Sequence, residues 1–151
     1  MKILLPVDGS AYSDAAVEEF TRRPWPPHSE VKAITAAEIP IVLGMEPWAV
    51  LPEYFENLEK AVREAAHGVI QSALTQLQAI EDKSLKISSE VIQGSPKQVI
   101  VEEAESWGAD LIVMGSRGLS TWNRLLLGSV SNSVVHHANC SVEIVRRPQA
   151  S

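Results

Sequence analysis

One cysteine in 151 residues, Cys140, leaves no partner for an internal disulfide and no multi-cysteine zinc cluster. Basic residues are outnumbered: 13 Lys and Arg stand against 19 Asp and Glu, a net charge of -6. With no overall positive field to attract a phosphodiester backbone or an anionic membrane surface, nucleic acid and membrane are disfavoured as partners. Long apolar runs are missing as well. The start, MKILLPVDGS, places three apolar residues before Pro6 and then an Asp, too short for a signal-peptide core or a membrane span. The chain reads as cytoplasmic, and its length with 45% hydrophobic residues suits one domain over residues 1–151. No internal repeat or low-complexity tract interrupts it.

Two nucleotide fingerprints are absent. No G-x-x-x-x-G-K-[S/T] occurs and no Lys follows Gly128, which argues against a P-loop NTPase. No G-x-G-x-x-G follows a strand, which argues against a dinucleotide oxidoreductase. The stretch DGSAYSD is distantly like the phosphate loop of ATP pyrophosphatases but lacks their paired glycines.

What is present alternates between two periods. Residues 3–7 (ILLPV) and 111–114 (LIVM) are unbroken apolar runs, as expected of central parallel strands covered on both faces, with Pro6 tolerable near a strand end. Residues 31–37, 86–92 and 142–146 are more mixed and suit strands nearer the sheet edge. The longest helical pattern runs from Pro52 to Ile80. Ser95 and Pro96 read as cap and first position of another helix that Gly108 stops. Ser10 or Ser13 can cap a helix ending near Arg23, and Ser129 one running to Ala138. The order β-α-β-α-β-α-β-α-β with right-handed crossovers predicts a three-layer, doubly wound α/β sandwich. Residues 38–51 fit no period and read as packing under the long helix, with a flap over a site as the other reading.

In such sheets ligands bind beyond the carboxyl ends of strands, where strand order reverses. The stretch 114–133, MGSRGLSTWNRLLLGSVSNS, follows a strand that looks central. Gly115 and Gly118 can let backbone amides approach a phosphate, and Gly128 lets the chain turn into the next helix. Ser129 and Ser131 would add hydroxyl donors at a helix N-terminus, where free N–H groups and the dipole favour an anion. Arg117 and Arg124 could neutralise phosphate charge, Arg117 being the better placed. Asp8, closing the first strand, could bind a cation or the nucleoside while also capping the helix start.

The spacing Gly115, two residues, Gly118, nine residues, Gly128, Ser129 resembles the G-x2-G-x9-G-[S/T] pattern of the nucleotide-binding branch of the universal stress protein family. The resemblance extends to VDGS, ADLIVMGSRG, RLLLGSVSNSVVHHA and VEIVRR, and so to nearly the whole chain. It implies strand order 3-2-1-4-5, an adenine-nucleotide alpha hydrolase-like fold, ATP with magnesium or manganese across strands 1 and 4, and a homodimer through strand 142–146. Carried onto this chain, Pro6, Val7 and Asp8 would line the nucleoside side, with Asp8 also the metal candidate, and Ala36 would sit against the adenine. Met114, Gly115, Arg117 and Gly118 would follow the ribose and phosphates, and Gly128, Ser129, Val130 and Ser131 would hold the triphosphate. Two departures stand out: Asn139-Cys140-Ser141 has Ser where the family has Pro, and Glu143 occupies an ordinarily apolar strand position. An edge Glu also guards against unwanted pairing.

The remaining residues read structurally. His136 and His137 point about 100° apart on a helix, unsuited to chelating one metal, and complement the dipole at its C-terminus. Cys140 fills space near the last turn, and Trp122 anchors the glycine-rich loop. The leading expectation is an ATP-binding regulatory protein with an unknown protein partner, in which occupancy orders residues 115–128. The alternatives are an ATPase or phosphotransfer enzyme, for which Asp8 would position a water, and a nucleotide-free interaction module.

Overall fold

The computed structural model describes residues 1–40, 51–118 and 127–147. Its elements are β1 (Lys2–Pro6), α1 (Ala11–Arg22), β2 (Glu30–Ala37), α2 (Pro52–Gln78), β3 (Lys86–Gln93), α3 (Pro96–Trp107), β4 (Leu111–Gly115), α4 (Ser129–His137) and β5 (Ser141–Val145). All neighbouring strands pair in parallel, in the order β3-β2-β1-β4-β5 expected from the resemblance. Residues 41–50, most of the segment read as packing or flap, lie outside the described residues, as do Trp122 and Arg124.

Side-chain alternation along the central strands builds a core on each face of the sheet. Ile3 and Leu5 join Phe20 of α1 and Ile70 and Leu77 of α2 on one side. Leu4, Ile112 and Met114 join Val99 and Ile100 of α3 and Val134 of α4 on the other. Burial on both faces is why β1 and β4 read as unbroken apolar runs.

The mixed composition of 31–37 suggested a position near the edge, but β2 is internal, between β3 and β1. Within it Lys32 places its ammonium 2.5 Å from a carboxylate oxygen of Glu103 on α3 and 2.6 Å from one of Glu90 on β3. Two anions in reach let a lysine sit inside the strand, on the same face as Ile34.

The helices begin and end for local reasons. Ser10 is the cap of α1: its side chain accepts the Ser13 N–H at 3.2 Å, and Ser13 Oγ donates back to the Ser10 carbonyl at 3.0 Å. Pro96 opens α3, and Gly108 closes it in the left-handed region at φ 72°. The apolar stripe of α2 is buried at Ala66, Ile70, Ala73 and Leu77, whereas Tyr54 and Phe55 are exposed. A 27-residue helix is about 40 Å long and an eight-residue strand about 26 Å, so the first turns of α2 overhang the sheet.

One expectation is corrected at α4. Its cap is Gly128, and Ser129 is the first helical residue, exposed and without a capping hydrogen bond. The Gly128 N–H is held by the Ser116 carbonyl at 2.9 Å, which places the turn into the helix one residue before Ser129.

Candidate functional site

The ladder between β1 and β4 covers two residue pairs, Ile3 with Leu111 and Leu4 with Ile112, although β4 continues to Gly115 beside β5. Pro6 supplies the reason. In β1 the odd residues face β2, as the Val7 N–H to Ile34 carbonyl bond of 2.9 Å shows, and the even residues face β4, as the Lys2 carbonyl accepting from Asp110 N–H shows. The donor that Pro6 lacks is therefore one that would have extended the ladder toward β4. Beyond it the strands part, at the point where strand order reverses.

A cavity of about 120 Å³ occupies this crevice. Its lining brings together ten of the predicted site residues: Pro6, Val7, Asp8, Ala36, Met114, Gly115, Arg117, Gly118, Val130 and Ser131. Gly128 and Ser129 are not in the lining. Four residues join that were not expected, Ser13, Ile34, Pro96 and Ile100. Ile34 was legible as the residue two before Ala36 on the same strand face, and Ile100 as one turn after Pro96 on the buried side of α3.

The two glycines after β4 have different reasons to be glycine. A β-carbon on Gly115 would meet the Tyr12 carbonyl oxygen at 2.5 Å, so its small size lets α1 pack against the end of β4. A β-carbon on Gly118 would meet Asp8 Oδ2 at 2.8 Å, inside the cavity. The reading of both as openings for phosphate thus gives way, at Gly115, to a packing requirement.

Asp8 uses its two oxygens differently. Oδ1 accepts the Ser10 N–H at 2.9 Å and fixes the turn into α1. Oδ2 faces Gly118 and has no hydrogen-bond partner among the described residues. Across the mouth, Arg117 Nη1 donates to Tyr12 Oη at 3.3 Å, with its guanidinium carbon 5.5 Å from the Tyr12 ring centroid. One carboxylate and one guanidinium are the charged side chains in an otherwise largely apolar lining.

The start of α4 closes the site. The Gly128 carbonyl accepts the first intrahelical bond, from Asn132, which leaves the N–H groups of Ser129, Val130 and Ser131 without a partner among the described residues. Ser131, expected to donate its hydroxyl to a ligand, donates it to the Gly115 carbonyl at 2.9 Å and is buried. Its contribution to an anion is thereby its backbone N–H, with the hydroxyl tying α4 to β4.

Elsewhere the sequence reading carries over. His136 and His137 sit in the last turn of α4 with Nδ1 2.7 and 2.8 Å from the carbonyls of Asn132 and Ser133. Cys140 packs half-buried against the α3 and α4 core, and burial pushes its thiol pKa up. Among the described residues no helix is long and apolar enough to cross a membrane.

Strand order and crevice together define a doubly wound α/β protein with an open crevice at its topological switch point. The model of the universal stress protein family matches residues 1–146. Universal stress protein MJ0531 of Methanocaldococcus jannaschii is 34% identical over 148 residues, covering 98% of this chain and 83% of that one. The solved structure of MJ0577 from the same organism superposes with a TM-score of 0.81 at 26% identity, covering 99% and 97%. A universal stress protein solved in complex with cAMP superposes at 0.66, with 26% identity and 96% of each chain covered. The chain belongs to the universal stress protein family.

Proposed function

We propose that this chain binds an adenine nucleotide, ATP with magnesium or manganese, in the cavity between β1 and β4, and acts through binding as a cytoplasmic, stress-related regulator. The observation that carries the reading is the three N–H groups at the start of α4 that have no partner among the described residues, set beside a largely apolar slot with Arg117 in its lining. Helix dipole, bare amides and a guanidinium together suit a phosphate chain. Ile34, Ala36 and Ile100 offer an apolar surface to a purine ring. The phosphates would lie at the end of the slot lined by Gly118, Val130 and Ser131. A related chain in complex with cAMP supports an adenine ligand.

No cluster of three His, Cys, Asp or Glu suited to a resident metal occurs among the described residues. Asp8 Oδ2 is nevertheless a hard oxygen ligand open to the cavity, so it suits a divalent cation that arrives on the nucleotide, with phosphate oxygens and water completing the shell. For hydrolysis, Asp8 is the lining carboxylate able to orient a water, and turnover is expected to be slow. Two copies would pair through β5, with occupancy altering that or another partner surface.

The test is to denature freshly purified protein and identify released nucleotide by chromatography and mass spectrometry, with Gly118→Val as control. Stoichiometric adenine nucleotide, absent from the control, is expected. Added Mg-ATP should stabilise the wild type by about 2.7 kcal/mol at a hundredfold excess over Kd. An empty protein whose melting does not shift in millimolar Mg-ATP would overturn the reading.

A further inference from the structure

Arg117 is the cation of the cavity lining, yet it lies in irregular backbone two residues past the end of β4. A long side chain on such backbone loses rotamer entropy when it fixes on a ligand, unless something already holds it. Tyr12 holds it. The phenol oxygen accepts from Arg117 Nη1 at 3.3 Å, and the ring lies beneath the guanidinium at 5.5 Å. Tyr12 is itself firmly based: its carbonyl packs against Gly115, where even a β-carbon would not fit, and Ser10 caps the same turn. The ring projects from the rigid junction of α1 and β4, although Tyr12 is not part of the cavity lining.

We propose that Tyr12 is a positioning residue for phosphate recognition in this cavity: it helps to preset the Arg117 guanidinium, favouring phosphorylated nucleosides over the bare nucleoside. The proposal rests on the nucleotide reading of the cavity. The Tyr12 contact is made through Nη1 of the guanidinium. The negative face of the ring also attracts the guanidinium, a second contact that favours this one placement.

The experiment has a part without ligand and a part with it. In the ligand-free protein, the Arg117 side-chain NMR resonances should carry a ring-current shift that persists in Tyr12→Phe and disappears in Tyr12→Leu. An unchanged Arg117 spectrum in Tyr12→Leu overturns the proposal whatever the ligand. Calorimetric titration with ATP and with adenosine then reads the consequence. Tyr12→Leu should weaken ATP roughly three- to tenfold and leave adenosine within about twofold, with Tyr12→Phe between wild type and Tyr12→Leu. In an Arg117→Gln background, Tyr12→Leu should cost no further ATP affinity. Equal weakening of both ligands, or a loss that persists without Arg117, would assign Tyr12 a general structural role instead. A wild type that binds neither ligand while its Arg117 resonances still respond to Tyr12→Leu would remove the nucleotide reading, and the phosphate role with it, but not the Tyr12 to Arg117 contact.

Discussion

Arg23, at the C-cap of α1, grips Glu143 of β5 with both guanidinium branches, Nη1 to Oε2 and Nη2 to Oε1, each at 2.8 Å. The strand position that departs from the apolar family pattern therefore carries a carboxylate already neutralised within its own chain. Hydrogen bonds to Glu143 and then Glu19 hold the Arg23 pKa above its ordinary value.

This pairing bears on the proposed dimer. Antiparallel pairing of two β5 strands about their middle residue sets the two Glu143 side chains opposite each other, where like charges repel. Arg23→Ala is expected to raise the dimer Kd about tenfold, and Glu143→Gln in the same chain to restore it, as read by sedimentation velocity. A dimer indifferent to both changes would place its interface elsewhere.

The glycines of the loop separate packing from binding. Gly115→Ala forces a methyl group into the Tyr12 backbone and is expected to cost about 3 kcal/mol in urea denaturation. Gly118→Val meets the Asp8 side chain, which can rotate away, so it should cost less than about 1 kcal/mol while abolishing nucleotide binding. Equal destabilisation by the two would contradict the assignment.

The serines of α4 make a similar contrast. Ser131→Ala strands the buried Gly115 carbonyl and is expected to cost about 1–2 kcal/mol. Ser129→Ala, at an exposed position that caps nothing, should stay within about 0.5 kcal/mol.

Lys32 gives the fold a pH signature on the alkaline side. Burial opposes its charge, but hydrogen bonds to Glu103 and Glu90 outweigh that, and its pKa lies above the ordinary lysine value. A raised folded-state pKa means the stabilisation is complete below the unfolded value of about 10.4 and is lost as pH rises through the folded one. Lys32→Met should destabilise by about 1–2 kcal/mol at pH 7, less than for a fully buried pair because Glu90 is half exposed. The gap between wild type and variant should hold steady from pH 7 to 9 and narrow above about 10.4. A gap that widens in alkali would contradict the sign.

Much of this was legible from residue patterns. The unbroken runs at 3–7 and 111–114 place the two central strands because burial on both faces leaves no room for polar side chains. Strand order came from the resemblance and not from periodicity, since alternation reports a face and not a neighbour. β2 misled because the partners of Lys32 lie 58 and 71 residues away, beyond any local window. Ser129 misled because its preference for caps is a local tendency, and a distant carbonyl, that of Ser116, decides where α4 begins. Of the site, the glycine and serine spacing located the loop, but Ser13, Pro96 and Tyr12 enter through crossovers that bring helix starts to one end of the sheet.

The bond between Gly128 N–H and the Ser116 carbonyl, with Ser131 anchored on Gly115, ties the start of α4 to the end of β4. Gly115 thus answers to two helices at once, its bare α-carbon to the Tyr12 backbone of α1 and its carbonyl to Ser131 of α4, so a shift at either helix start is passed to the other through a single residue.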